Sequence, residues 1–296
     1  MCCRSVFMLQ PGWSAKRLSS GNRTFGRPYI GEIHLLSLTT LASGSSGNSL
    51  MVSDGETHIL IDAGISARRI TKSLRELGID PSQLSGILIT HEHSDHICGL
   101  NTLTKQFTMP VYASRGTGRQ LCYRIAFLEE RIQTFETGTA FEIGGLMVES
   151  FATPHDTAES VGYAVSAGGR KAAVVTDLGR VTEEVARGIQ GANLLVAETN
   201  YDPEWLQSGP YPYYLKERIQ GGWGHLSNQA GAELACSAVE NGASTVILAH
   251  LSKENNTPAK AYDTVLAAME RRGIRPGEDV QLEVAPRDVA GARYEV

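Results

Sequence analysis

The chain has 296 residues, 42% of them hydrophobic, and a net charge of −5. That length allows one large α/β domain or two smaller ones, and the mild acidity argues against binding polyanions by overall charge alone. Five cysteines, an odd number without regular spacing, do not make a disulfide framework, and no apolar run approaches the length of a membrane span.

Residues 1–31 carry Arg4, Lys16, Arg17, Arg23 and Arg27 and no acid. They read as a basic, disordered N-terminal extension of the kind a choice of start site produces, or, more sharply, as a nucleic-acid-binding arm. Residues 32–296 read as one domain, in which 22 Lys and Arg face 32 Asp and Glu, a balance of −10. Ile33–Leu41 is strand-like and leads into the small-residue loop Ala42–Ser49. Leu50–Ser53 and Thr57–Ile61 follow as a hairpin about Asp54-Gly55. Ser66 can cap a helix to about Leu77, which Gly78 ends. Gly86–Thr90 is a strand, and His96–Phe107 fits a helix.

Short strands are then predicted at Pro110–Ala113, Arg131–Phe135, Ala140–Ile143, Leu146–Ala152, Val161–Ser166 and Lys171–Thr176. After Asp177 the pattern changes. Helices at Val181–Gln190, Tyr211–Ile219, Asn228–Asn241 and Pro258–Arg272 alternate with buried strands at Leu194–Ala197, Thr245–Ala249 and Leu282–Val284. Hairpins in both halves with helices between them predict two sheets packed face to face with helices outside, a four-layer αββα sandwich of the α/β class. Cys98, Cys122 and Cys236 fall in predicted helices and read as small buried hydrophobes, which points to a reducing cytoplasm.

One stretch outweighs the rest. Thr90-His91-Glu92-His93-Ser94-Asp95-His96 places three imidazoles and two carboxylates directly after an apolar strand. Imidazole with carboxylate suits zinc, manganese or iron. Four other apolar runs also end in a ligand type. Thr57–Ile61 ends in Asp62, Leu146–Ala152 leads to His155, Ala172–Val175 leads to Asp177, and Val246–Ala249 ends in His250. Singly, each has a plain reading as a turn former, a helix cap or a loop histidine. Together they predict strand ends converging on a metal site.

This succession resembles the metallo-β-lactamase superfamily across residues 32–296. The resemblance implies that fold, with two divalent metal ions per chain. The first would take His91, His93 and His155, the second Asp95, His96 and His250, and Asp177 would bridge them. Asp62 would buttress a ligand histidine or the local loop from behind. Leu41–Ser49, Thr153–Asp156, Thr176–Gly179, Glu198–Asp202, Gly224–Asn228 and Ala249–Asn256 occur in an order similar to that of the YycJ/WalJ-type bacterial nucleases, relatives of the tRNase Z-like phosphodiesterases. That narrower likeness implies a cytoplasmic DNA exonuclease of 5′-to-3′ direction, with nucleic acid as partner and DNA favoured over RNA.

Two metals in such a site hold a hydroxide between them and polarise a phosphoryl oxygen, and the departing sugar oxygen needs a proton. His225, just before a predicted helix N-terminus, is the candidate for that role, so Asp177, Asp95 and His225 form the expected catalytic set. Ser45, Ser46 and Asn48 of the loop, with Ser227 and Asn228, are candidate phosphate contacts. Tyr211, Tyr213, Tyr214 and Trp223 read as core or lid packing, with base stacking as the sharper alternative. Glu92 and Ser94 read as spacers. The competing functions are hydrolysis of another ester or a thioester in the manner of the glyoxalases, cyclic phosphodiester hydrolysis, and a non-catalytic metal-bound scaffold. The motifs carry no signal for oligomeric state.

Overall fold

A computed structural model describes Arg4–Ser5 and residues 35–296. Apart from those two residues, the predicted extension lies outside the described part, as do the first two residues of the predicted strand Ile33–Leu41. The strands are β1 (Arg4–Ser5), β2 (Ser37–Ala42), β3 (Ser49–Ser53), β4 (His58–Ile61), β5 (Leu84–Leu88), β6 (Val111–Ser114), β7 (Ile132–Phe135), β8 (Ala140–Ile143), β9 (Leu146–Ala152), β10 (Val161–Ala167), β11 (Arg170–Val175), β12 (Leu194–Glu198), β13 (Thr245–Ala249), β14 (Gln281–Val284) and β15 (Arg293–Glu295). The helices are α1 (Ala67–Glu76), α2 (Ser94–Ile97), α3 (Leu100–Gln106), α4 (Arg115–Arg124), α5 (Glu183–Ile189), α6 (Pro203–Ser208), α7 (Tyr213–Gln220), α8 (Asn228–Glu240) and α9 (Pro258–Arg271).

Two mixed sheets form, in the orders β1-β7-β6-β5-β4-β3-β2-β15 and β14-β13-β12-β11-β10-β9-β8. Their facing sides pack Leu38, Val52, Ile59 and Ile61 together with Val148, Tyr163, Val174 and Val196. Helices α1 and α3 cover the first sheet through Ile70, Leu74, Leu100 and Leu103, while α5, α8 and α9 cover the second. Central strands β12 and β13 are buried at every position, as parallel strands covered on both faces must be. The predicted four-layer sandwich is thus the observed one. No helix among the described residues is long and apolar enough to cross a membrane.

Local chemistry accounts for the boundaries. Ser66 caps α1 by accepting from the Arg69 amide, and Gly78 stops the segment at φ 80°. The β3–β4 turn closes on Asp54, whose Oδ1 accepts from the Thr57 amide at 2.6 Å, with Gly55 at φ 98°.

Three expectations are corrected. The single helix His96–Phe107 is two helices, α2 and α3, because the Gly99 amide donates to Ala63 O at 2.8 Å. A Cβ on Gly99 would lie 2.1 Å from Ile65 O, so only glycine lets the 63–65 loop approach. Helix α4 escaped the sequence reading because Gly116 and Gly118 weaken its pattern; both let the helix lie close, against Glu159 and Thr134. Cys98, placed between α2 and α3, is exposed rather than buried.

Gly99→Ala should therefore destabilise the fold by roughly 1–3 kcal/mol, lowering Tm by about 2–4 °C per kcal/mol in thermal unfolding. An unchanged Tm would mean the 63–65 loop can retreat at no cost.

Candidate metal centre

The five apolar runs that end in ligand types bring those residues to one edge of the sandwich. Among the described residues, Asp62, Asp177 and His250 are the non-glycine positions with positive φ, at 63°, 60° and 56°. Each follows a strand end, after β4, β11 and β13. Left-handed backbone at a non-glycine residue costs about 1–3 kcal/mol and persists only where surroundings enforce it. Here it turns three side chains out of their strands and toward one point.

The histidines are oriented from behind. His96 Nδ1 lies 2.7 Å from Asp62 Oδ2, His155 Nδ1 lies 3.0 Å from Gly224 O, and His250 Nδ1 lies 3.1 Å from Asn48 Oδ1. Those oxygens can only accept, so each Nδ1 carries a proton, and in the neutral ring that a metal ion requires each Nε2 offers its lone pair. His91 follows by one more step. The Thr90 hydroxyl donates to Asp62 Oδ2 at 2.9 Å and therefore accepts from His91 Nδ1, 3.0 Å away. His93 is turned the other way, with Nδ1 3.2 Å from His155 Nε2.

The resulting lone pairs fall into two groups, His91, His93 and His155, and Asp95, His96, Asp177 and His250; within each group the ligand atoms lie within 4.8 Å of one another. Asp177 stands between them. Its carboxylate is 3.2 Å from both His96 Nε2 and His250 Nε2 and 3.7 Å from His155 Nε2. Burial works to raise the Asp177 pKa, but the surrounding His250, His96 and His91 outweigh it and hold the group well below the usual carboxylate range. Burial likewise pulls His91 down, keeping it neutral. His91 Nε2 and Asp177 Oδ2 are buried with no hydrogen-bond partner. Bare acceptors of this kind are costly inside a protein unless a cation meets them. The donor set fits a divalent metal ion.

A third grouping, Asp177, Glu198, His225 and His250, shares members with the second. Within it, His225 Nδ1 donates to Glu198 Oε1 at 2.7 Å, a closed pair rather than two free ligands. Burial lowers the His225 pKa, while Glu198 and then Asp177 push it up to about 9. Glu198 is fully buried at the end of β12, and its other oxygen accepts from the Leu178 amide at 3.0 Å. Sequence reading missed this residue although the same signal was present, an apolar run Leu194–Ala197 ending in a carboxylate.

His225 lines a cavity of about 180 Å³ together with Ser45, His155, Asn200, Tyr211 and Arg218. Of the expected phosphate contacts, Ser45 and Ser46 are exposed, and Ser45 borders this cavity. Asn48 and Asn228, by contrast, are buried. The Asn48 amide nitrogen donates to Asp95 O at 3.3 Å and its oxygen accepts from the Gly44 amide and from His250 Nδ1, so it braces the segments that carry candidate ligands. Asn228 is buried against Asn256, and Ser227 caps α8 by accepting from the Ala230 amide. Glu92 is more than a spacer. Its carboxylate accepts from the Ala158 amide at 2.9 Å and so ties the loop carrying His155 to the loop carrying His91 and His93.

Residues 57–251 match the beta-lactamase superfamily domain. The chain is 36% identical over 248 residues to the exodeoxyribonuclease YycJ of Bacillus anthracis, covering 83% of this chain and 94% of that one. It is 35% identical over 259 residues to the exodeoxyribonuclease WalJ of Streptococcus pneumoniae, covering 86% and 96% respectively. Among solved structures, the short form of human tRNase Z superposes with a TM-score of 0.60 at 18% identity, covering 86% of this chain and 98% of that one, a likeness of fold.

Asp62→Asn should weaken divalent metal affinity by roughly 10–100-fold, read by competition with a chromophoric chelator, because His96 loses the charge that orients it. Unaltered affinity would show that the ring is held by packing alone.

Proposed function

The chain belongs to the metallo-β-lactamase superfamily, and on that premise we propose that it is a metal-dependent phosphodiester hydrolase that degrades DNA from an end, in the 5′-to-3′ direction. The observation that carries the reading is the position of Asp177 between two sets of outward-facing imidazole lone pairs, in a chain whose relatives at 35–36% identity are named exodeoxyribonucleases. We assign His91, His93 and His155 to one divalent ion, Asp95, His96 and His250 to a second, and Asp177 to both. Zinc and manganese suit the donors, with iron a third choice. Two ions held there supply Lewis-acid charge and a water acidified toward neutral pH.

The chain's own groups do the rest. The acidic body, −10 over residues 32–296, offers a polyanion little attraction at long range. The scissile phosphate is therefore drawn to the centre itself, with Ser45 at the cavity wall. His225 is placed to protonate the leaving sugar oxygen. Glu198 holds the ring through Nδ1 and keeps it charged, which leaves the Nε2 proton to be donated. His225 and Glu198 thus complete a catalytic set with Asp177 and Asp95. A cytoplasmic location belongs with this reading, since the three cysteines among the described residues, Cys98, Cys122 and Cys236, are free. Thioester hydrolysis is the weaker reading, because the dyad supplies a proton that a thiolate leaving group does not need.

The test is a nuclease assay on end-labelled single- and double-stranded DNA and RNA with added Mn²⁺ or Zn²⁺. Wild-type protein should shorten DNA progressively, and Asp177→Ala should abolish the reaction. His225→Ala should lower kcat by about 100-fold or more while metal content stays the same. Equal degradation by wild type and Asp177→Ala, or none by either, overturns the assignment.

A further inference from the structure

The cavity beside His225 holds about 180 Å³, well under the roughly 300–1,000 Å³ of pockets that enclose a whole small molecule. It can admit a phosphodiester linkage and part of a sugar, so the bases of a bound strand must lie outside it. What they would meet is the segment from α6 to Trp223. Among the described residues, four of the five exposed aromatic side chains fall there, Trp205, Tyr213, Tyr214 and Trp223. Tyr214 is 75% exposed and Trp223 is 59% exposed. Of the two packing roles expected for Tyr213, Tyr214 and Trp223, core or lid, this exposure excludes the core.

Helical phase sorts the rings. Leu215, Arg218 and Ile219 of α7 line the cavity and so define its inward face. Tyr214 lies one turn before Arg218 and flanks that face, whereas Tyr213 is turned to the opposite side. Trp223 comes immediately before Gly224 and His225, and Tyr211 is itself part of the cavity wall. Helix α7 has no buried residue. It is held by polar ties, Arg218 Nε to Asp156 Oδ2 at 2.5 Å and Lys216 Nζ to Gln207 O at 2.6 Å. Packing thus gives the rings of this helix no structural reason to be aromatic. Cations accompany them. The Arg180 guanidinium lies 5.6 Å from the Trp223 ring centroid, and Arg218 stands at the cavity mouth. In an otherwise acidic body, Arg218 is paired with Asp156, while Arg180 sets positive charge against a flat apolar face. That combination matches a strand whose bases are unpaired and whose backbone is anionic.

We propose that Tyr211, Tyr214 and Trp223 form a stacking platform for the bases of an unpaired nucleic-acid strand whose backbone enters the cavity at His225, so that a duplex end must fray to be engaged. This deepens the phosphodiesterase reading and rests on it.

The test uses the metal-loaded full chain and fluorescence anisotropy with a cleavage-resistant phosphorothioate oligothymidylate of about twelve nucleotides, against a blunt duplex of the same length. Tyr214→Leu with Trp223→Leu should raise Kd for the single strand about tenfold or more, with a smaller change for the duplex. Tyr214→Phe with Trp223→Phe should restore most of the affinity. Tyr213→Leu, on the far face, should change it by less than about twofold. On cleavable DNA the leucine pair should raise KM and largely spare kcat. Unchanged single-strand affinity in the leucine pair overturns the platform, as does an equal loss for strand and duplex or an equal loss from Tyr213→Leu. Conversion of a dimer to a monomer with nucleic-acid affinity intact would assign the rim to self-association instead. Wild-type protein that neither binds nor cleaves any nucleic acid sinks the phosphodiesterase reading together with the platform. Wild type that does both, with unaffected variants, sinks the platform alone.

Discussion

The first half of the site hangs on one buried carboxylate. Asp62, 1% exposed, accepts from the Thr90 amide at 2.8 Å, from the Thr90 hydroxyl at 2.9 Å and from His96 Nδ1 at 2.7 Å. A charge this far from water is tolerated only when it is fully partnered. The partners it recruits are the residue that starts the histidine loop and the histidine that ends it. Thr90 in turn fixes the His91 tautomer. One side chain just past β4 thereby sets the direction of two imidazoles, His91 after β5 and His96 in α2, and the left-handed backbone at Asp62 aims that side chain.

The second half repeats the arrangement from the other sheet. Asp177 and His250 leave β11 and β13 through the same strained backbone region, and the Ser43 hydroxyl accepts from the His250 amide at 2.8 Å. Asn48 then joins the halves, donating to the Asp95 carbonyl and accepting from His250 Nδ1 with opposite ends of one amide. The two-sheet core makes this possible. Strands buried on both faces are stiff, so several kcal/mol of strain and bare acceptors can be carried at their ends without loosening the fold.

Electrostatics divides the surface by task. Residues 32–296 are acidic overall, and in the proposed function a phosphodiester would meet positive charge at the centre, at His225 and at Arg180. Glu198 keeps a partly buried histidine charged against the pull of desolvation, which is the condition a proton donor near neutral pH requires. The adjoining rim, held by polar ties and not by a core, is the part of the molecule least demanded by stability. That freedom suits it to carry specificity.

Much of this was legible in the chain. An apolar run followed by a ligand type is a local pattern, and it marked His91, His93, Asp95, His96, His155, Asp177 and His250 because strand ends must leave the core where a sheet opens to solvent. Glu198 followed the same rule and was overlooked. The break between α2 and α3 was not legible, since Gly99 answers to a backbone at Ala63–Ile65 and not to its helical neighbours. Nor were the roles of Asn48 and Glu92, which depend on partners such as His250, 202 positions away from Asn48. The sequence by itself marked the side chains that gather at the candidate metal centre and the layers that carry them. Only the tertiary structure decided which nitrogen each histidine presents, which polar residues brace the centre instead of touching substrate, and which aromatics stay outside, because tautomer, hydrogen-bond partner and exposure are properties of contacts that exist only once distant segments have met.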